Sequence, residues 1–155
     1  MERDERDRRI RAATARDIPA LLALYAQLNP SDPPIPVEKA ESIFAQFHAC
    51  DGNAIYVAVS NDALVATCAL IVTPNLTRGG APYALIENVV TDSHHRQQGH
   101  GRAVLHAAID AAWRHGCYKV MLLTGSKNPA TLRFYQETGF VQDKTGFQIR
   151  RPSIS

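Results

Sequence analysis

Two arginines and two glycines share one short segment, Arg96–Arg102 (RQQGHGR), which follows a predicted strand and opens a predicted helix. The first amides of a helix have no intrahelical acceptor, and the helix dipole places partial positive charge there. Glycine at positions 99 and 101 removes the side chains that would keep a phosphate away from those amides, and the arginines can hold phosphate oxygens. The segment is therefore predicted to bind a phosphate group.

Two common phosphate-binding motifs do not fit this segment. A P-loop requires Lys followed by Ser or Thr directly after its last glycine, and neither pair follows Gly101. The dinucleotide fingerprint requires Gly or Ala three residues after Gly101, where this chain has Val104. What remains is R-x-x-G-x-G after a strand, a pattern that a tight turn without any ligand also produces.

A second segment with chemical potential is Asn128–Phe140, which follows an apolar strand predicted at Tyr118–Leu123. Asn128 is a suitable helix N-cap, and Gly139 is suited to end the helix. Phe134 and Tyr135 project from it, so one tyrosine hydroxyl lies on a short helix next to a buried strand.

Together the two segments resemble the GNAT superfamily of acetyl-CoA-dependent N-acetyltransferases, through R-x-x-G-x-G and the later N…FY…GF pattern. The resemblance is close from Tyr83 to Phe140 and topological before it. It implies acetyl-CoA as co-substrate, its pantetheine arm pairing with the backbone of one strand at Val89, Val90 and Thr91. It implies that the remaining cofactor-binding residues are Arg96, Gln97, Gln98, Gly99, His100, Gly101, Arg102 and Asn128.

Acetyl transfer to an amine through a tetrahedral intermediate requires a neutral amine, a stabilised oxyanion and a proton for the leaving thiolate. The resemblance places Tyr135 beside the sulfur, and a tyrosine hydroxyl, of ordinary pKa ~10, can protonate a thiolate of pKa ~8.5. A backbone N–H near Val89 or Val90 is the candidate for the oxyanion. Tyr135 is thus the predicted general acid.

The predicted general base is Glu87, the one carboxylate in the apolar strand Tyr83–Thr91. In a regular strand it shares a face with Val89, near the expected acetyl group. A carboxylate in an apolar strand is costly unless it is used or paired, so an ion pair with a nearby arginine is the alternative. Some relatives carry an acid five residues before the motif asparagine, where this chain has Leu123.

The function predicted from these residues is acetyl transfer from acetyl-CoA to the primary amine of a small molecule. An amino sugar is the first choice, because Glu87–Asp92 and Gly116–Val120 look most like the amino-sugar-phosphate acetyltransferases. The alternatives are a peptide or protein amine, and a non-catalytic acyl-CoA sensor, which Leu123 would favour. Another phosphate-ligand binder that uses the same helix start is a weaker alternative.

The elements that position these residues are predicted in the order strand, two helices, three strands, helix, strand, helix and one or two strands. Helices are predicted at Ile18–Leu28, Val37–His48, Gly99–His115 and Asn128–Thr138, and a terminal hairpin at Phe140–Arg150. The predicted class is α/β (α+β), with a GNAT-like mixed, mostly antiparallel central sheet of six to seven strands flanked by about four helices. Residues 1–155 are predicted to form a single domain.

Composition argues against nucleic-acid binding, a membrane helix and a metal site. A chain of 155 residues with a formal net charge of +2 lacks the basic excess of a nucleic-acid binder, and no apolar stretch is long enough for a membrane helix. Three widely spaced cysteines indicate reduced, buried thiols and a cytoplasmic protein. His106 and Asp110 lie one helical turn apart without further ligands, so no metal is expected. The family makes a homodimer plausible.

Overall fold

The fold, described here from a computed structural model over residues 7–153, is a five-stranded sheet with helices on both faces. The strands follow the order β1-β2-β3-β4-β5; the first four are antiparallel and β5 runs parallel to β4. The mixed, mostly antiparallel class is confirmed, with five strands in place of six to seven. The elements are β1 (Arg9–Ala12), α1 (Ile18–Leu28), α2 (Val37–His48), β2 (Ala54–Ser60), β3 (Ala63–Thr73), β4 (Tyr83–Thr91), α3 (His100–Arg114), β5 (Val120–Met121) and α4 (Pro129–Thr138).

The two faces of the sheet carry different helices. On one face the Cys68 thiol donates to the Val104 carbonyl oxygen of α3 at 3.4 Å. On the other face Leu21 of α1 packs in one cluster with Val57 of β2. Because side chains alternate along a strand, Thr67 and Ala69 of β3 point to the α1 face, and Cys68 points to the α3 face.

A β-bulge interrupts β4 in its middle. Glu87 pairs with Ala69 and Val90 with Thr67, so two residues of β4 lie opposite the single residue between them on β3. Asn88 adopts a left-handed conformation with φ 54°, which asparagine tolerates better than most residues. The regular alternation expected for this strand is therefore wrong after Glu87, which shares the α1 face with Val90 and not with Val89.

Two strand predictions near the C-terminus are corrected. The strand expected over Tyr118–Leu123 is reduced to Val120–Met121, which pair only with Ala84 and Leu85 at the start of β4. A bulge bends its strand and increases the twist, and the bulge of β4 lies just beyond these pairs. The terminal hairpin expected over Phe140–Arg150 is absent, and residues 140–153 have no regular secondary structure. An isolated hairpin is marginally stable at best, since it lacks a third strand to cover it.

The contacts divide the chain into two compact units, one ending at Leu122 and the other beginning at Leu123. The first unit contains the whole sheet and helices α1 to α3, and the second contains α4 and the C-terminal segment.

The cysteines have free thiols, and two of the three are buried. Burial raises the pKa of the Cys68 thiol to about 12. Cys50 is exposed, contrary to the prediction, because it lies in the turn that follows α2.

Candidate active site

The loop Asp92–Gly99 connects β4 to α3, and the side chain of Asp92 organises it. One carboxylate oxygen accepts from Gln27 Nε2 of α1 at 2.8 Å. The other accepts from the His94 amide at 3.0 Å and lies 2.7 Å from His95 Nδ1. The Ser93 amide donates back to Gln27 Oε1 at 3.0 Å. The start of the loop is thus tied both to itself and to a helix 65 residues earlier in the sequence.

These hydrogen bonds alter the acidity of Asp92. The bond from Gln27, followed by that from His95, lowers the pKa of the Asp92 carboxyl to about 2. The carboxylate is therefore ionised at neutral pH and acts as an acceptor for all its donors. This favours a structural role for Asp92 in holding the loop.

The loop ends in the helix start that the sequence predicted. Gly99 is the N-cap of α3 in a left-handed conformation with φ 81°, and Gln97 is also left-handed with φ 62°. The first α-helical bond of α3 runs from the Ala103 amide to the Gly99 carbonyl at 3.1 Å. The amides that precede Ala103 therefore lie at the positive end of the helix dipole.

The predicted phosphate-binding residues differ in their exposure. Gly101 and His100 are buried, and His100 is only 1% exposed, with Nε2 3.2 Å from Gln98 Oε1. The other members of the segment are exposed: Arg96, Gln97, Gln98, Gly99 and Arg102. The side chains of Arg96 and Arg102 are thus exposed on either side of a glycine helix start, an arrangement that suits an anionic ligand.

The second half of β4 leads directly into this loop and has an open edge. On the β5 side only Ala84 and Leu85 are paired, and within residues 7–153 no strand pairs with Glu87–Thr91 along that edge. Val89, Val90 and Thr91 therefore offer backbone groups beside the loop. An extended ligand can add to an open sheet edge as though it were another strand.

Glu87 lies at the bulge, on the α1 face of the sheet and exposed to solvent. Among the described residues no Lys, Arg or His side chain forms an ion pair with it. The ion-pair explanation for this carboxylate is therefore not supported, and the carboxylate is open to an approaching group.

The second unit carries Asn128 and Tyr135. The Asn128 side chain caps α4 by accepting from the Ala130 amide at 3.0 Å, so its predicted capping role is confirmed. Tyr135 is half-buried, with its ring centroid 5.1 Å from that of Phe134 and 6.2 Å from that of Phe140. The aromatic contacts fix the ring of Tyr135 within its own unit.

Features elsewhere in the described residues are less suited to this chemistry. A cavity of about 410 Å³ lined by Val72, Pro74, Pro82 and others is found at the end of the sheet opposite the Asp92–Gly99 loop, beyond the Thr73–Tyr83 pair. Over residues 7–153 no three His, Cys, Asp or Glu side chains are grouped as a metal site would need. No helix in that range combines the length and apolar character needed to cross a bilayer.

Three features of the first unit were missed by the sequence analysis. Gln27 gave no signal, because a polar residue at the end of an amphipathic helix is ordinary. Asn88 carried a weak one, since asparagine inside an apolar strand is a candidate for a left-handed bulge. Arg8 lies against the loop, 90 residues away in sequence, and nothing in the pattern indicated that contact.

Comparison with known proteins identifies relatives along most of the chain. The profile described as the acetyltransferase (GNAT) family matches residues 18–140. The glucosamine 6-phosphate N-acetyltransferase of Trypanosoma brucei brucei is 29% identical over 134 residues, covering 86% of this chain and 89% of the relative. Glucosamine 6-phosphate N-acetyltransferase 1 of Oryza sativa subsp. japonica is 32% identical over 139 residues, covering 86% and 81%.

A solved structure agrees with these relatives. A protein from Agrobacterium tumefaciens str. C58, described provisionally as an acetyltransferase, is 52% identical, with a TM-score of 0.87 over 92% of this chain and 99% of that one. The family predicted from the two motifs is thereby confirmed, as is its activity as an N-acetyltransferase; members of this family use acetyl-CoA as the acetyl donor. The chain belongs to the GNAT family of acetyltransferases.

Proposed function

We propose that this chain, acting as one GNAT domain, transfers the acetyl group of acetyl-CoA to the primary amine of an amino sugar phosphate. The observation that carries the proposal is one continuous segment, in which the open edge of β4 runs into the loop and glycine helix start of α3. The acceptor class follows the relatives in Trypanosoma and Oryza, which are named for glucosamine 6-phosphate.

The residues present suit acetyl-CoA, which would supply an activated thioester. The amides at the start of α3 would bind its pyrophosphate, with Arg96 and Arg102 supplying charge at the rims. The backbone of Val89–Thr91 would pair with the pantetheine arm along the open edge of β4. An amide in this stretch would hold the developing oxyanion.

Glu87 would act as the general base. A primary amine has an ordinary pKa of ~10, about three units above pH 7. Deprotonating it at pH 7 therefore costs about 4 kcal/mol, and a base helps to meet that cost. The Glu87 carboxylate is exposed, lacks an ion pair among the described residues and lies on the α1 face. The acceptor amine would therefore approach from the side of the sheet that carries α1, directly or through a water.

Tyr135 would donate the proton that the leaving thiolate needs. Its ring contacts Phe134 and Phe140, which restricts the orientation of the hydroxyl. A positioned general acid contributes roughly 10² to 10⁴ to the rate. Asn128 begins the same helix and would contact the cofactor.

A homodimer is part of this proposal. Val141, Phe147 and Ile149 in the C-terminal segment are 78%, 90% and 98% exposed, and Phe147 and Ile149 have the two-residue spacing of a strand face. Such a concentration of exposed apolar side chains is unusual for a monomer. A second copy of the chain would cover them and give the segment strand partners.

The experiment that tests the function is thiol release from acetyl-CoA in the presence of single amines. Glucosamine 6-phosphate is compared with glucosamine, galactosamine 6-phosphate, an aminoglycoside and a short peptide. We expect the highest kcat/KM with the amino sugar phosphate and at least tenfold less with glucosamine. Turnover with the peptide alone would overturn the acceptor class, and no turnover with any amine despite acetyl-CoA binding would favour a sensor.

The role of Glu87 is tested by Glu87→Gln, which keeps its size and removes its charge. We expect kcat to fall by about 10²-fold at pH 7 and the rate to recover as pH rises toward the pKa of the amine, because a growing fraction of the amine is then neutral without a base. Glu41→Gln on the exposed surface of α2 is the matched control. A pH–rate profile identical to that of the unmodified protein would eliminate Glu87 as the base.

A further inference from the structure

Arg8 lies against the Asp92–Gly99 loop, although it belongs to the segment before β1. Its Nη1 donates to the Gln98 carbonyl oxygen at 3.2 Å. A methyl group added to Gly99 would lie 3.2 Å from the same nitrogen, so the guanidinium occupies the space beside the helix start that the missing side chain leaves. Arg8 is therefore a third arginine at the helix start where Arg96 and Arg102 are predicted to bind phosphate.

The side chains on either side of Arg8 contact the turn between β2 and β3. The Asp7 carboxylate accepts from the Asn61 amide at 2.9 Å, and Arg9 forms an ion pair with Asp62 at 3.2 Å. Arg9 then pairs with Val59 in the first register position of β1. Arg8 thus lies between two residues that contact the β2–β3 turn or pair with β2, while its own side chain reaches Gln98.

We propose that Arg8 binds a phosphate of acetyl-CoA, an inference that rests on the proposed function. The bond to Gln98 uses one of the guanidinium donors and leaves the others for an anion, and the planar fork suits phosphate oxygens. Arg8 reaches the start of α3 from the segment before β1, whereas Arg96 and Arg102 belong to the loop and to α3. The three cations would thus meet the nucleotide portion from different elements.

The test is the affinity of the full-length protein for acetyl-CoA, measured by calorimetry on the variant Arg8→Gln. Arg9→Gln is the control, because it removes the same charge from the adjacent position, where the side chain pairs with Asp62. We expect Arg8→Gln to weaken acetyl-CoA binding about tenfold and Arg9→Gln less than twofold, the difference being that of one charged hydrogen-bonded contact. Arg8→Lys keeps the charge without the fork and should fall between them.

A second ligand distinguishes the phosphates that Arg8 could bind. Each protein is titrated with CoA and with 3′-dephospho-CoA. If the deficit of Arg8→Gln disappears with 3′-dephospho-CoA, Arg8 binds the 3′-phosphate, and if it persists, Arg8 binds the pyrophosphate. Either result supports the proposal, provided that the thermal midpoint of the variant stays close to that of the unmodified protein.

The proposal and the function fail in different ways. Equal acetyl-CoA affinities for Arg8→Gln and Arg9→Gln would overturn the role of Arg8 and leave the acetyltransferase assignment intact. No binding of acetyl-CoA by the unmodified protein would overturn the proposed use of the loop and the role of Arg8 with it.

Discussion

The Asp92–Gly99 loop and the region around α4 carry the two halves of the proposed chemistry, and they are held in different ways. The loop is fixed by hydrogen bonds to distant residues, from Gln27 at a separation of 65 and from Arg8 at a separation of 90. The hydrogen bonds described around α4 join near neighbours, such as Ala130 to Asn128 and Thr138 to Phe134.

This difference indicates which contacts determine the conformation of each half: long-range ones for the loop and local ones for α4. The loop depends on α1 and the β1 segment being in place, so it forms only when the first unit folds. Helix α4 has its own cap, its own aromatic contacts and a left-handed Gly139 at its end, so it is defined locally. The segment that follows α4 exposes apolar side chains, whereas the Asp92 carboxylate and the Ser93 amide in the loop are hydrogen-bonded.

The largest effect is expected in the locally defined half. Tyr135→Phe should lower kcat about 100-fold, because the thiolate loses its proton donor, and should leave acetyl-CoA affinity unchanged. Steady-state kinetics and calorimetry measure the two quantities. Tyr118→Phe removes a hydroxyl from a part-exposed tyrosine of the first unit and serves as the control. Normal kcat in Tyr135→Phe would show that the acid is elsewhere.

The exposed segment gives the next effect. If a second copy covers Phe147, Phe147→Ser should weaken the dimer by about 2 kcal/mol, or roughly 30-fold in its dissociation constant. Light scattering after size exclusion, at several concentrations, measures the dissociation. Gln148→Ser on the adjacent position should have little effect. A monomeric unmodified protein would remove the homodimer from the proposal.

A smaller effect is expected at the helix start. Gly99→Ala places a side chain in a left-handed conformation and beside Arg8, at a cost of about 1 kcal/mol, and acetyl-CoA affinity should fall about tenfold. The control is Gly125→Ala, since nothing lies within 4 Å of its added methyl group. Unchanged affinity in Gly99→Ala would mean that the ligand does not approach this backbone.

The smallest effect concerns the anchor of the loop. The folded pKa of Asp92 is lowered to about 2, so its contribution to stability is present above about pH 4 and is lost as pH falls toward 2. Asp92→Asn should therefore lower the free energy of unfolding by about 1 kcal/mol at pH 7, with the difference shrinking below pH 4. Urea unfolding of both proteins at pH 7 and at pH 2.5 measures this difference in the free energy of unfolding.

The matched control for the anchor is Asp110→Asn on the exposed surface of α3. Acetyl-CoA binding by Asp92→Asn should weaken only a few-fold, because the loop loses an anchor and not a ligand. A difference in stability that stays the same from pH 7 to pH 2.5 would show that the carboxylate charge is not what holds the loop.

The helices were largely predictable because their signals are local. The expected bounds of Val37–His48 and Ile18–Leu28 agree with α2 and α1, and Asn128 and Gly139 act as the caps that their types indicate. The strand alternation after Glu87 and the length of β5 were not predictable. A bulge depends on pairing with β3, and the shortening of β5 depends on the path that β4 takes beyond the bulge.

The sequence by itself determined the family, the glycine start of α3 and the capped aromatic helix α4, since each of these patterns lies in neighbouring residues. Only the tertiary structure decided that Glu87 faces α1 without an ion pair among the described residues, that the second half of β4 keeps an open edge, and that Gln27 and Arg8 hold the loop. The physical reason is sequence distance. Local patterns specify caps and turns, whereas contacts between residues 65 and 90 positions apart exist only once the sheet has brought their elements together.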